Sequence, residues 1–160
     1  MRFLLDRMHD ELNRVKHKPP YKEMKFETLS IDKQSEGWFQ YYRDRDDSIM
    51  TDLFEGQLIN RLKCLSCGYE TYAFDNFMDL SVEIPRKAIR FLGNINIKDC
   101  LDKFVEGEKM LDCGYKCAGC KRKVDIQKDL TIYRFPKILV IHLKRFYNSA
   151  MRREKLNTTV

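Results

Sequence analysis

A chain of 160 residues and 19.2 kDa suits one ordinary domain and leaves little room for two. Its 43% apolar and 12% aromatic content supplies a sizeable core, while 7 glycines and 4 prolines exclude collagen-like or low-complexity sequence. The formal charge of +6 sits in the last third, where residues 113–160 carry twelve basic and three acidic side chains. No apolar run approaches the roughly 18 residues of a membrane span. The opening Met1-Arg2-Phe3-Leu4-Leu5-Asp6 meets charge too early for a secretory segment, so a cytoplasmic or nuclear setting with reduced thiols is expected.

Residues 1–16 read as a helix, with Leu4, Leu5, Met8, Leu12 and Val15 on one face and Asp6, Asp10, Glu11 and Arg14 on the other. Pro19 and Pro20 stop it. No capping residue precedes it, as if the helix began earlier. His9 and His17 read as solvent-facing. Residues 18–35 are polar and aperiodic, a surface loop. A second helix is expected over about 34–47, carrying Trp38, Tyr41, Tyr42 and Arg45. There Asp44, Asp46 and Asp47 oppose the dipole of its C-terminal end.

From Leu53 the pattern reads as β: Leu53, Leu58 and Leu62, then residues 69–84, clearest at Leu80, Val82 and Ile84. A short helix over 97–105 follows, with Asn96 as its cap. Strands are expected at about 123–134 and 138–146, separated by Pro136. Ile138-Leu139-Val140-Ile141 is apolar enough for burial on both faces. Residues 155–160 look like a strand cut in progress. There is no internal repeat, and the class is α+β.

Two Cys-x-x-Cys turns, Cys64–Cys67 and Cys117–Cys120, carry the chemistry. A two-residue spacer lets both thiolates of a tight turn point at one ion, and Gly68 permits the backbone to turn. Two such knuckles facing each other make a closed four-sulfur site, which suits one structural Zn²⁺. The 49 residues between Cys67 and Cys117 far exceed a simple ribbon, so the knuckles would be tips of distant hairpins. A redox pair needs a helix N-terminus behind it, and neither turn precedes a helical pattern. Four thiolates with one divalent ion contribute −2, which takes the +6 to +4. Cys100 reads as a small buried thiol. Cys113 leaves a second ligand set open, Cys113-x₃-Cys117-x₂-Cys120. His142 reads as a hydrogen-bonded sheet histidine rather than a general base.

Taken in order, these segments resemble the catalytic domain of ubiquitin-specific proteases, the papain-like deubiquitinases. Phe3-Leu4-Leu5-Asp6-Arg7-Met8-His9-Asp10-Glu11-Leu12-Asn13 is similar to the helix after that family's Gln-Gln-Asp-Ala-Gln-Glu box. Leu53-Phe54-Glu55-Gly56-Gln57-Leu58 with Cys64 and Cys67 resembles its first zinc hairpin, and Phe74-Asp75-Asn76-Phe77-Met78-Asp79-Leu80-Ser81 the strand leaving it. Cys100-Leu101-Asp102-Lys103-Phe104 resembles its short helix, Cys117 and Cys120 its second knuckle. Phe135-Pro136-Lys137-Ile138-Leu139-Val140-Ile141-His142-Leu143-Lys144-Arg145-Phe146 resembles its central strand.

The resemblance implies one partial catalytic domain over 1–160, shaped as part of a hand. Residues 1–50 would give thumb helices, 51–80 and 107–132 zinc-bearing fingers, and 81–106 and 133–160 part of the palm. It implies a cysteine protease acting after the C-terminal glycine of ubiquitin, with ubiquitin or ubiquitinated proteins as partners and no membrane. The family's Asn-x-Cys-Tyr and Gly-Gly-His-Tyr boxes are not in this sequence. No catalytic residue is therefore assigned, Cys100 and Cys113 included, and the segment is expected to be inactive alone, a piece truncated at both ends. A catalytically dead ubiquitin-binding module is one alternative. A zinc-ribbon nucleic-acid binder, suggested by Lys121-Arg122-Lys123, is another, although nucleic acid is not the expected partner.

Overall fold

The computed structural model describes residues 2–21, 23, 26, 28–85, 95–148, 153–155 and 160; for 147, 148, 153 and 154 it describes the backbone alone. Among the described residues four helices and eight strands follow one another: α1 Arg2–Glu11, α2 Ile31–Arg45, α3 Ile49–Phe54, β1 Gly56–Cys64, β2 Glu70–Phe77, β3 Leu80–Glu83, α4 Ile97–Phe104, β4 Glu108–Met110, β5 Ile126–Arg134, β6 Ile141–Lys144, β7 Phe146–Asn148 and β8 Arg153–Lys155. The mixed α+β class is as expected.

The main sheet has four antiparallel strands in the order β2-β1-β5-β4. β1 is its spine: it pairs with β2 from Gly56↔Phe77 to Lys63↔Glu70 and with β5 from Gln57↔Arg134 to Cys64↔Ile126. A register irregularity between Gln57 and Leu58 twists the spine near its start. β3 and β6 form a separate parallel pair, Leu80↔Ile141 to Glu83↔Lys144. β7 and β8 form a third, antiparallel pair.

The core gathers where these sheets and α4 meet. Leu80, Val82, Ile84, Ile95 and Cys100 are buried there, flanked by Leu58, Phe77, Leu101, Phe104, Ile132 and Leu143. Alternation along β3 puts Leu80 and Val82 on the inner side, where each contributes about 1.5–3 kcal/mol by burial. α4 starts as the sequence predicts. Asn96 accepts from the Asp99 N–H while Asp99 accepts from the Asn96 N–H, a reciprocal cap.

Several expectations change. α1 ends at Glu11, well before Pro19 and Pro20. α2 ends at Arg45, so Asp46 and Asp47 lie beyond the helix and Arg43 and Arg45 fill its last turn. Asp44 alone stays in that turn, between the two arginines, so the dipole conflict is reduced. The β pattern starts at Gly56, not Leu53, because Ser48 and Thr51 cap a short helix, α3, first. Ile138–Ile141 is not buried on both faces: Ile138 is 48% exposed and the next three residues are half-buried. Among the described residues β6 has one partner strand, which covers one of its edges. Lastly, the apolar stripe of α1 faces outward, with Leu4, Met8 and Leu12 exposed, while Leu5 and His9 turn inward. The expected strand at 155–160 falls largely on 156–159, outside the described residues.

His9 is thus not solvent-facing. It is 9% exposed, its Nδ1 lies 2.7 Å from Ser48 Oγ and its Nε2 lies 3.0 Å from Asp46 Oδ1. The α1 helix needs a partner for its inner face, and the capped start of α3 supplies a polar one. His17 is exposed, as expected.

Candidate metal centre

The two cysteine turns hang from the same end of the main sheet. Cys64 is the last residue of β1 and is 2% exposed; its N–H donates to Tyr69 O across the turn, and Leu65 N–H donates to Asp125 O at 3.0 Å. The second turn belongs to a small hairpin over 115–124, closed by Val124 N–H to Tyr115 O and Cys117 N–H to Arg122 O, both 3.0 Å. Because Cys64 pairs with Ile126, the strand register itself delivers that hairpin to the first turn.

The two turns share one backbone design. Gly68 N–H donates to Cys64 O at 3.0 Å and Lys121 N–H to Cys117 O at 2.9 Å. Each donor residue sits in the left-handed region, Gly68 at φ 72° and Lys121 at φ 59°. Glycine takes that conformation freely, whereas a lysine there costs about 1 kcal/mol. The N–H groups of Cys67 and Gly119 point at sulfur, 3.4 Å from Cys64 Sγ and 3.3 Å from Cys117 Sγ. The turns also touch: a Cβ on Gly119 would lie 2.9 Å from Tyr69 Cβ, so this position requires glycine.

The sulfurs of Cys64, Cys67, Cys117 and Cys120 lie within 4.8 Å of one another, a group able to hold a metal ion. Cys67 and Cys117 Sγ are 3.7 Å apart. A tetrahedral ion bound by four thiolates at about 2.3 Å sets its sulfurs about 3.8 Å apart, so the donors fit. The thiols are already differentiated. For Cys64 burial opposes ionisation, but the N–H groups of Cys67 and Ser66 and the neighbouring thiols outweigh it, and its pKa falls to about 7. Cys120 is also lowered, chiefly by the Arg122 N–H. For Cys67 the Tyr69 N–H favours the thiolate, but its sulfur neighbours and burial outweigh it and raise the pKa to about 11. One negative charge suppresses the next until a cation enters.

Cys113 lies outside this group. It is exposed, with its thiol 3.8 Å from Val124 O. Cys100 is fully buried in the core, where burial, and then Asp99, raise its pKa, the opposite of what a nucleophile needs. His142 stands exposed on β6 opposite Ser81, its Nδ1 3.4 Å from Ser81 Oγ. Among the described residues no thiol hydrogen-bonds to a histidine, and all six cysteines are free of disulfides. Two contributors escaped the sequence pattern: Lys121 as a left-handed residue, and Tyr69 as the contact between the turns. A lysine after Cys-x-x-Cys gives no signal of positive φ; the glycine in the same place of the first turn was the available hint.

The family described as ubiquitin carboxyl-terminal hydrolase matches residues 1–160. The chain belongs to that family. Ubiquitin carboxyl-terminal hydrolase 2 of Gallus gallus is 43% identical over 162 residues, which cover all of this chain and 44% of that protein. Ubiquitin carboxyl-terminal hydrolase 4 of Saccharomyces cerevisiae (strain YJM789) is 38% identical over 153 residues, covering 91% of this chain and 16% of that protein. The chain thus spans less than half the length of these relatives. Among solved structures, a chain of the yeast SAGA DUBm matches at TM-score 0.57 and 29% identity, over 75% of this chain and 27% of that one. The SAGA Ubp8/Sgf11/Sus1/Sgf73 DUB module bound to ubiquitin aldehyde matches at TM-score 0.60 and 24% identity, over 83% and 30%, a likeness of fold.

Proposed function

We propose that this chain is the central part of the catalytic domain of a cysteine-type deubiquitinase, and that its share of the work is to recognise ubiquitin. The observation that carries this reading is the four-sulfur group, built from turns 49 residues apart at the end of one sheet, in a chain of the ubiquitin carboxyl-terminal hydrolase family. Solved relatives of this fold bound to monoubiquitin or ubiquitin aldehyde support the choice of partner. The group would take one structural Zn²⁺ through Cys64, Cys67, Cys117 and Cys120, which closes all four positions and leaves none for a reacting water. Residues 1–50 act as thumb helices, 51–80 and 107–132 as fingers, and 81–106 and 133–160 as palm. A cytoplasmic or nuclear location follows from keeping those thiols reduced.

In the whole enzyme a thiolate activated by a histidine attacks the carbonyl after the terminal glycine of ubiquitin, and the acyl-enzyme is then hydrolysed. Those groups come from outside this chain. The residues here hold the globular body of ubiquitin so that its tail reaches them. The test has two arms. Isothermal titration with ubiquitin is expected to give saturable binding by the zinc-loaded chain, and a ubiquitin C-terminal amide is expected to stay uncleaved. Absence of binding, or turnover that disappears on Cys100→Ser or Cys113→Ser, would overturn the reading.

A further inference from the structure

The main sheet divides into a charge-matched shaft and an unmatched tip. Along β1 and β5 each cation has a carboxylate: Arg61 with Asp129 at 2.6 Å, Lys63 with Glu70 at 3.6 Å, Lys128 with Glu108 at 3.4 Å and Arg134 with Glu36 at 2.5 Å. The tip hairpin is different. Lys116, Lys121, Arg122 and Lys123 are all exposed, and among the described residues none of the four forms an ion pair. The acids closest in sequence are Asp112 and Asp125, and Asp125 Oδ1 already accepts the Asp112 N–H at 2.8 Å.

The placement of two of these cations is unfavourable by itself. Lys116 and Lys123 face each other across the hairpin. The bonds on either side of them, Cys117 N–H to Arg122 O and Val124 N–H to Tyr115 O, make theirs a non-hydrogen-bonded pair. In such a pair the Cα atoms stand about 4.5 Å apart and both side chains leave the same face. Like charges so placed repel and lower stability. The thiolates do not lie between them, because side chains alternate along a strand and Cys117 and Arg122 belong to the other face. On the adjoining turn Leu65 and Tyr69 are 46% and 45% exposed, and the Tyr69 side chain lies against Gly119.

We propose that this tip is a docking surface for a short acidic polypeptide segment, rich in Asp and Glu, carried by a partner protein. Charge complementarity identifies the occupant: four cations on one turn without a carboxylate partner, an excess that the −2 of a loaded four-thiolate group would only halve, with apolar contact area on the adjoining turn. The shaft limits its size. A nucleic acid would continue along the sheet onto Glu70, Asp129 and Glu108, whereas a short acidic segment ends before it reaches them. This surface is additional to ubiquitin recognition and stands without it.

Fluorescence anisotropy with a labelled Glu-rich peptide tests the assignment, using the zinc-loaded chain, a Ser/Gly peptide of equal length and a single-stranded RNA in parallel. The Glu-rich peptide is expected to bind best, and more weakly as salt rises. The Lys116→Gln/Lys123→Gln variant is expected to bind about tenfold more weakly. Lys123→Glu sets opposite charges face to face: it is expected to lose the peptide, keep its bound metal in native mass spectrometry and melt no lower than the parent. RNA bound as tightly as the peptide would overturn the proposal, as would binding that ignores salt or peptide affinity unchanged in the variants.

Discussion

The two ends of β1 are held by opposite means. At its start, Gln57 is fully buried and its amide is spent on α2: Ser35 Oγ donates to Gln57 Oε1 at 2.5 Å, and Gln57 Nε2 donates to Ser35 O at 3.1 Å. Beside it Glu55 accepts from Asn76 Nδ2 at 2.8 Å and pairs with Arg43 at 3.4 Å. At its far end, Cys64 joins three other sulfurs beside the buried Ile126. One end is closed by buried polar bonds among distant residues, the other by donors waiting for an ion. The difference teaches that one half of this spine is held by bonds already made, whereas the proposed ion would hold the other.

The largest break in that contrast comes from the cysteine end. Cys64→Ser or Cys120→Ser is expected to reduce bound zinc from one per chain to none in native mass spectrometry and to cost at least about 4 kcal/mol. In hydrogen exchange the loss of protection should centre on 64–69 and 115–124 and spare 31–57. Uniform loss would mean that the two ends are not independent. Next comes the helical end: His9→Ala leaves Ser48 and Asp46 without their shared partner and is expected to cost about 1–3 kcal/mol in urea unfolding, with zinc content unchanged.

Smaller effects sharpen the contrast within each end. Lys121→Gly relieves a left-handed lysine and is expected to raise the stability of the loaded protein by about 0.5–1 kcal/mol, read as a higher urea midpoint at constant slope. At the other end, burial raises the Glu55 pKa above its ordinary value, against the Asn76 and Arg43 contacts that lower it. A raised carboxyl favours folding below the unfolded pKa, and that contribution is lost as pH rises through the folded value. Glu55→Gln should therefore gain on the parent near neutral pH and match it in acid, by under about 1 kcal/mol in melts at several pH values.

The cysteine end was legible in sequence because its information is local: two spacings and a glycine specify two turns, and four identical donors make one group able to hold an ion. α4 was legible for the same reason, with Asn96 and Asp99 three residues apart. The helical end was not, since His9 meets Ser48 across 39 residues and Ser35 meets Gln57 across 22. A histidine among charged residues looks like surface until the capped turn it contacts is known. Ile138–Ile141 misled for a related reason: its composition suited a central strand, but burial depends on neighbours that composition does not name.

The parallel pairing of β3 with β6 has a consequence in time. It joins Leu80 to Ile141, and among the strand pairings described around the core it becomes possible late as the chain leaves the ribosome. Both cysteine turns and β5 emerge before it. Ion capture at 64–120 would shorten the chain that must still be searched, and loop closure becomes less costly as the open segment contracts. The metal would then be an early constraint on assembly as well as a late staple. Stopped-flow refolding is expected to be faster with zinc present at the outset than with zinc added after the main phase; equal rates would confine the ion to the second role.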